Sequence, residues 1–412
     1  MDYLSCYFTC YQFPCQVTNE GKMRRNPKIT CLWPTALTVD PEGATPVQRA
    51  RFLADHFGPV LFWRLSNQFC LQPGEEIFFQ TPSRRTVLPM HLQYCLEGLR
   101  VLRSLHPELK VVYTLPDFSS ILGFFASRNL RLKWIVDVWD HPLLPFYYYR
   151  NRGHIYKALL HWLIGRIVLS ILPYADGIVC SILPDAFKGH VPDERIWDIP
   201  NGVDIKRVRS IAGLSEFPVN ARCPKQFRVV YVGYVGRDRG IELILDIARQ
   251  TWIDAGFEVT YTLVGPIIEH DKEWMQRKLQ DLTLPNISTL GFLPWRDAIQ
   301  IIASADACLF PFKSSPELDY IYPIKVLEYL ALGKPVLSTK LKGVSRILRD
   351  NWNGFLLPGD EPAAWVGVLN HLRADRELYA TIAANAWYTA ERYDWQLIHG
   401  RLSNYLLQIL GA

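Results

Sequence analysis

Lys325 and Glu328 follow Pro323 in the stretch Cys308–Thr339, at a spacing that places both near the start of one helix. A helix N-terminus has unpaired N–H groups and a partial positive charge, which suits a diphosphate. Lys325 in the first turn is locally unfavourable unless an anion is bound nearby. Glu328, about one turn further in, offers a carboxylate able to accept both hydroxyls of a ribose. Arg237 and Arg239 supply positive charge in the run Gly233-Tyr-Val-Gly236-Arg-Asp-Arg239-Gly240, where the glycines let the backbone approach a ligand. Two solvated arginines on a turn is the plainer reading. A third group is Asp137, Asp140 and His141, at the end of the apolar run Lys133–Asp140. Ligands bind at the carboxyl ends of parallel strands. Asp140 and His141 therefore either touch a substrate or cap the turn before Pro142.

The elements that must hold these groups are legible. Cys308–Phe312 is a short apolar run and reads as a buried strand. Pro323 reads as the first helical position. Val326, Leu327, Leu330 and Ala331 form an apolar stripe at helical spacing, and Gly333 supplies the left-handed stop. Pro335–Thr339 is the next strand, so the unit is strand, loop, helix, strand, the building block of parallel sheets. The same unit is read at Lys28–Trp33, a glycine-bearing loop with Gly43, a helix capped by Thr45-Pro46-Val47-Gln48, and a strand at Val60–Leu65. Phe227–Val232 opens another. Further strands are expected at 75–79, 109–114, 175–181, 260–265 and 286–290, with a helix from His91 to Leu105. Lys206–Lys225 reads as a polar linker.

At 412 residues the chain suits two domains. Hydrophobic residues make up 49% and charged residues 21%, a globular composition that excludes disorder. A net charge of +5 suits anionic partners weakly and gives no indication of nucleic acid. Nine cysteines at irregular spacing, without a C-x-x-C pair, fit free thiols in a reducing setting; Cys31, Cys180 and Cys308 sit in strand-like runs. Cys6, Cys10 and Cys15 lie in an aromatic, then basic, N-terminal tail (residues 1–27) with no signal-peptide pattern.

From His141 to Ala175 there is no Asp or Glu, while Arg150, Arg152, Lys157 and Arg166 accompany aromatics and the run Ile155–Leu172. A transmembrane helix is disfavoured, because Lys157, His161 and Arg166 interrupt it. A buried core helix is the favoured reading; a membrane-surface patch for anionic lipid is the other, and both can hold together, with the helix packed and the Tyr/Arg loop before it touching lipid.

The segment Glu328–Thr339, EYLALGKPVLST, resembles the nucleotide-binding segment of family 4 glycosyltransferases, and Ile199–Asp204, IPNGVD, resembles their inter-domain motif. Glu328 matches the second Glu of the family's Glu-x7-Glu pattern. Tyr320 stands where the first Glu is usual, as in the P-x-K-x-x-E-Y-L-A variant branch, with Glu317 and Asp319 as nearby acids. Arg239-Gly240 matches a Lys-Gly step. Tyr234 occupies the usual Arg position, with Arg237 as substitute. Arg346, after Gly343, departs from the pattern, and Trp139 departs from a D-x-x-D-x-W-P stretch that Asp137 and Asp140 match.

The resemblance implies an α/β protein of the GT-B fold, two Rossmann-like domains with parallel sheets facing a central cleft. The expected division is an acceptor domain at 28–204, a nucleotide-sugar domain at 205–390, and a helix at 391–412 crossing back. It implies a retaining, metal-independent hexosyltransferase that uses no cofactor. The donor is a nucleotide-diphosphate sugar of UDP or GDP type. The acceptor is a saccharide or lipid-linked saccharide, in cell-surface polysaccharide or glycoconjugate synthesis, in the cytoplasm or peripherally on the inner membrane face. Arg239, Lys325, Asp140 and His141 are the catalytic candidates. Gly233, Arg237, Arg239, Gly291, Tyr320, Pro323, Ile324, Lys325 and Glu328 are the donor-binding candidates. Gly43, Asp137, Asp140 and His141 are the acceptor-side candidates. A non-catalytic nucleotide-sugar or glycan-binding protein and a nucleotide-sugar epimerase are the alternatives.

Overall fold

In the computed structural model, the residues described are 29–32, 48–49, 52–53, 56–57, 60–63, 77–80, 90–105, 109–151, 153–217, 226–254, 258–282, 284–315 and 318–411. The tail 1–27, Gly43, Thr45–Val47, Arg152 and Glu317 lie outside them.

Short apolar runs such as Val111–Thr114, Gly177–Cys180, Ala307–Phe310 and Val336–Thr339 are buried throughout. That is the signature of strands covered on both faces of a parallel sheet. They assemble into two sheets, each wholly parallel. The chain divides into one unit of residues 1–200 with 398–412 and a second of 201–397.

The first unit holds β1 (Ile29–Leu32), β2 (Val60–Trp63), β3 (Ile77–Gln80), β4 (Val111–Thr114), β5 (Lys133–Val138), β6 (Gly177–Cys180) and β7 (Ile196–Asp198), in the order β3-β2-β1-β4-β5-β6-β7. Helices Met90–Leu105, Phe118–Leu130 and Ile155–Ile171 are the crossovers between successive strands. Residues 398–412 complete this unit. Trp197 stacks on Tyr405 with centroids 4.7 Å apart, and Phe52 stacks on His399 at 4.5 Å.

The second unit holds β8 (Gln226–Val232), β9 (Glu258–Val264), β10 (Ile287–Gly291), β11 (Ala307–Phe310), β12 (Val336–Thr339) and β13 (Phe355–Leu357), in the order β10-β9-β8-β11-β12-β13. Its core joins β8, β9 and β11 to Ile244, Ile247 and Ala248 of helix Ile241–Asp254, and to Trp365 and Leu369 of helix Pro362–Ala374.

In both sheets the chain moves outward in one direction and then returns to the other side. The crevice at that reversal, outside the carboxyl ends of the two strands concerned, is where open α/β sheets bind ligands. It falls between β1 and β4 in the first sheet and between β8 and β11 in the second.

Four expectations differ from the structure. Residues 206–211, read as linker, belong to the helix Ile205–Ile211, capped by Asp204, whose carboxylate accepts from Arg207 N at 3.0 Å. Pro323 is the N-cap residue, and Ile324 is the first helical residue. The helix Ile155–Ile171, read as buried core, buries only Ala158, Gly165 and Val168. The boundary between units falls inside the Ile199–Asp204 turn, and 391–397 stay with the second unit.

Candidate active site

The crevice of the second sheet is built by the loops after β8 and β11, and both are fixed by tight packing. Gly240 has φ +74°, and a Cβ there would lie 1.7 Å from the Pro311 carbonyl oxygen, so only glycine lets the two loops meet. Lys313 N donates to Asp238 O at 3.3 Å, and Lys313 Nζ donates to Glu242 Oε2 at 2.6 Å. Gly233, with φ +156°, donates to Val264 O at 2.9 Å. Gly265 N donates to Gly291 O at 2.7 Å, and Gly291 has φ +66° with open space where a Cβ would go. These glycines thus tie together the carboxyl ends of β8, β9 and β10.

Within it the two arginines have different tasks. Arg239 is buried, its guanidinium 4.7 Å from the Phe312 ring centroid and its Nε 3.6 Å from Asp238 Oδ2. Arg237 turns to the buried Asp271, with Nε–Oδ1 2.7 Å and its backbone N donating to Oδ2 at 2.8 Å. Arg237 thus clamps its turn through Asp271 with its side chain half exposed, while Arg239 lies at the junction of the two loops.

Helix Ile324–Ala331 starts at the end of the β11 loop. Gly333 at φ +65° ends it, and Lys334 N and Gly333 N donate to Tyr329 O and Leu330 O. Glu328 is 2% exposed. Its Oε2 accepts from Lys325 Nζ at 2.9 Å and its Oε1 from Trp295 Nε1 at 2.8 Å. The carboxylate is thus oriented from both sides, and each oxygen keeps a further lone pair for a ligand hydroxyl. Lys325, half-buried, keeps ammonium donors beyond the one that Glu328 takes.

Tyr320 accepts from Lys342 Nζ at 3.0 Å, so a cation stands beside the position where an acid is usual. Asp319 accepts from Ser314 Oγ at 2.7 Å, and its carbonyl accepts from Gly343 N at 2.7 Å, so it closes the loop. A Cβ at Gly343 would lie 2.1 Å from Ile321 O, which explains that glycine.

Sequence reasoning missed Trp295 and Arg207. Trp295 is the first residue of helix Trp295–Ser304, and the Arg207 guanidinium lies 5.3 Å from its ring centroid. The only signal was an aromatic residue after Leu293-Pro294. Arg207 was hidden in a stretch read as linker.

In the first unit, Asp137 is fully buried rather than facing a ligand. Its Oδ2 accepts from Arg49 Nε at 3.1 Å and from the Tyr113 hydroxyl at 2.9 Å, and Arg49 Nη2 donates to Ser181 Oγ at 3.3 Å. Burial pushes the Asp137 carboxyl up, while Arg49 and Tyr113 pull it back. It is the centre of a polar network linking β4, β5 and the residue after β6. Asp140 is exposed, just past β5. His141 Nδ1 accepts from Leu143 N at 3.3 Å and its ring stacks on Phe187 at 5.9 Å, so it caps the turn. At the carboxyl end of β4, by the crevice of this sheet, Asp117 caps helix Phe118–Leu130 by accepting from Ser119 N at 2.8 Å. Burial pushes its carboxyl up to about 6. Pro116-Asp117 before an apolar run was the sequence signal for this residue. Among the described residues no group of three or more His, Cys, Asp or Glu could hold a metal ion.

Residues 226–375 match the family described as Glycosyl transferases group 1. A relative in Bacillus subtilis (strain 168), named provisionally as teichuronic acid biosynthesis glycosyltransferase TuaH, is 23% identical over 314 residues, covering 71% of this chain and 70% of that protein. A D-inositol 3-phosphate glycosyltransferase of Paenarthrobacter aurescens (strain TC1) is 26% identical over 246 residues, covering 56% of this chain and 54% of the relative. The chain thus spans about half the length of that second relative. The crystal structure of Anabaena HepE in complex with UDP superposes with a TM-score of 0.69 at 17% identity, covering 92% of this chain and 100% of HepE. The two-sheet architecture is the GT-B fold, and these likenesses together support a glycosyltransferase of that fold.

Proposed function

We propose that this chain is a retaining glycosyltransferase of family 4, of the variant branch with Tyr320 in place of the first Glu. It transfers a hexose from a UDP-sugar, with GDP the other candidate, to a saccharide or lipid-linked acceptor in cell-surface polysaccharide or glycoconjugate synthesis. The observation that carries this reading is the arrangement at the β8/β11 crevice. Lys325 lies on a helix N-terminus, paired to the oriented carboxylate of Glu328, and Arg239 is buried where the two crevice loops join. Breaking an anomeric C–O bond builds negative charge on the departing diphosphate, and fixed donors at that point stabilise it. Lys325, the helix N-terminus and Arg239 supply that charge without a metal ion. Removal of either cation would lower turnover by about 10²–10³-fold. Glu328 accepts the ribose hydroxyls. The UDP in the HepE complex supports UDP as the first nucleotide to test.

The test is thermal unfolding with UDP, GDP, ADP and dTDP, followed by turnover of the matching sugars. A nucleotide present at ~100 times its Kd adds about 2.7 kcal/mol to the folded state. UDP is expected to raise the midpoint, and Lys325→Ala and Glu328→Gln to lose that rise. No shift from any of the four nucleotides would sink the proposal and favour the non-catalytic reading that Tyr320 raises.

A further inference from the structure

The crossover between β5 and β6 is unlike the other helices. Helix Ile155–Ile171 runs on through a 3-10 turn to Tyr174, and this stretch is long and apolar enough to cross a membrane by length and composition. It nevertheless belongs to the sheet. Val168 and Leu172 sit in one core cluster with Val136, Val138, Ile178 and Cys180 of β5 and β6, and a Cβ on Gly165 would lie 2.8 Å from the Pro142 carbonyl oxygen. A span would have to pull those groups out of the core, so the helix lies on the unit and does not leave it.

Its buried stripe is narrow, running through Ala158, Gly165 and Val168 to Leu172. The opposite side is apolar and open. Ile155 is 68% exposed, Tyr156 81%, Leu159 58% and Leu163 52%, with Trp162 also exposed. Tyr174, at the end of this stretch, and Phe125, on the helix Phe118–Leu130 that packs beside it, are exposed as well, and both rings meet Phe124. Contiguous exposed apolar surface of this kind marks an interaction site.

Charge selects the occupant. Between His141 and Ala175 the sequence has no acid. Lys157 and Arg166 are exposed on the helix itself, the Lys157 ammonium lying 5.4 Å from the Tyr149 ring centroid, and Arg128 lies 5.3 Å from the Tyr174 ring centroid. A second copy of the chain docked face to face would oppose these cations to one another, because a two-fold interface brings a patch onto itself. An anionic bilayer meets both requirements, taking the apolar side chains at its acyl boundary and the cations at its headgroups.

We infer that helix Ile155–Ile171 is a docking surface for an anionic lipid bilayer, lying in the plane of the interface. The inference is independent of the donor site, because none of the residues involved belongs to it.

The test is cosedimentation of the full chain with vesicles of pure phosphatidylcholine and of equimolar phosphatidylcholine and phosphatidylglycerol, at low and high salt. The wild-type chain is expected to bind the mixed vesicles more tightly, with the preference weakened by salt. Lys157→Ser with Arg166→Ser is expected to lower affinity for the mixed vesicles by about thirtyfold. Leu159→Ser with Leu163→Ser is expected to lower it about tenfold or more. All four side chains are on the open surface, so thermal midpoints and nucleotide binding stay as in the wild-type chain. Absence of binding to mixed vesicles, or binding that neither variant weakens, overturns the inference. So does a concentration-dependent dimer in lipid-free solution that the leucine variant abolishes, which would make a second copy the occupant.

Discussion

Replacing Gly240 by alanine tests the junction on which the crevice of the second sheet depends. At φ +74° the new side chain would strain the backbone, and its Cβ would lie 1.7 Å from the Pro311 carbonyl oxygen. The left-handed conformation costs a non-glycine residue about 1–2 kcal/mol. Relieving the overlap requires the β11 loop to move by roughly an ångström or more, and overpacking of that kind costs a further ~1–3 kcal/mol. Gly213 provides the control. Its φ is +69°, but nothing lies within 4 Å of the Cβ position. Gly213→Ala therefore carries the backbone strain alone, part of which is offset by ~0.4–1 kcal/mol from the stiffer unfolded chain.

Urea unfolding of the two variants, with amide exchange of helix Ile241–Asp254 to follow the second unit, should show Gly240→Ala less stable by about 1–3 kcal/mol than Gly213→Ala. The displaced loop leads to Lys325. Turnover should fall by ~10²-fold in Gly240→Ala, as misplacement by an ångström does elsewhere, and stay unchanged in Gly213→Ala. Equal stability losses in the two variants would refute the argument from close packing.

Other outcomes are expected. Asp137→Ala leaves the fully buried Arg49 guanidinium without its carboxylate and should cost about 3–5 kcal/mol in chemical denaturation. His399, buried against Phe52, has its imidazole pKa pushed down to about 2 by burial, with Arg49 and His56 adding to the effect. A depressed histidine contributes stability that is full above its unfolded pKa near 6.5 and is lost as pH falls below it, at about 1.4 kcal/mol per pH unit. His399→Phe should therefore flatten the stability profile between pH ~6.5 and ~4.5 by about 2.7 kcal/mol relative to the wild-type chain. A parallel pair of profiles would show that His399 is not buried neutral. Asp271→Asn breaks the Arg237 clamp on its turn and should raise the KM for the nucleotide sugar, whereas Arg237→Met should do so by a similar factor if Arg237 acts through that clamp. A much larger loss of kcat in Arg237→Met alone would return Arg237 to the diphosphate.

What the sequence determined by itself is mostly what depends on near neighbours. Apolar runs bounded by turn residues located β1 to β6 and β8 to β12, because a fully buried parallel strand is apolar on both faces; β7, only three residues long beside the Ile199–Asp204 turn, was not read as a strand. The stripe Val326, Leu327, Leu330, Ala331 and the stop at Gly333 located the helix that carries Lys325 and Glu328, because helix phase and capping are local properties. Only the tertiary structure decided where side chains turn. Arg237 and Arg239 are two residues apart in one turn, yet one closes on Asp271 and the other lies against Phe312; the choice is made by loops far along the chain. Asp137 ended in a buried network because Arg49 and Tyr113 arrive from other elements. Helix Ile155–Ile171 is apolar nearly all round, so its composition could not tell a core helix from an uncovered one. Burial is decided by what packs against each face, and here only one narrow stripe meets the sheet.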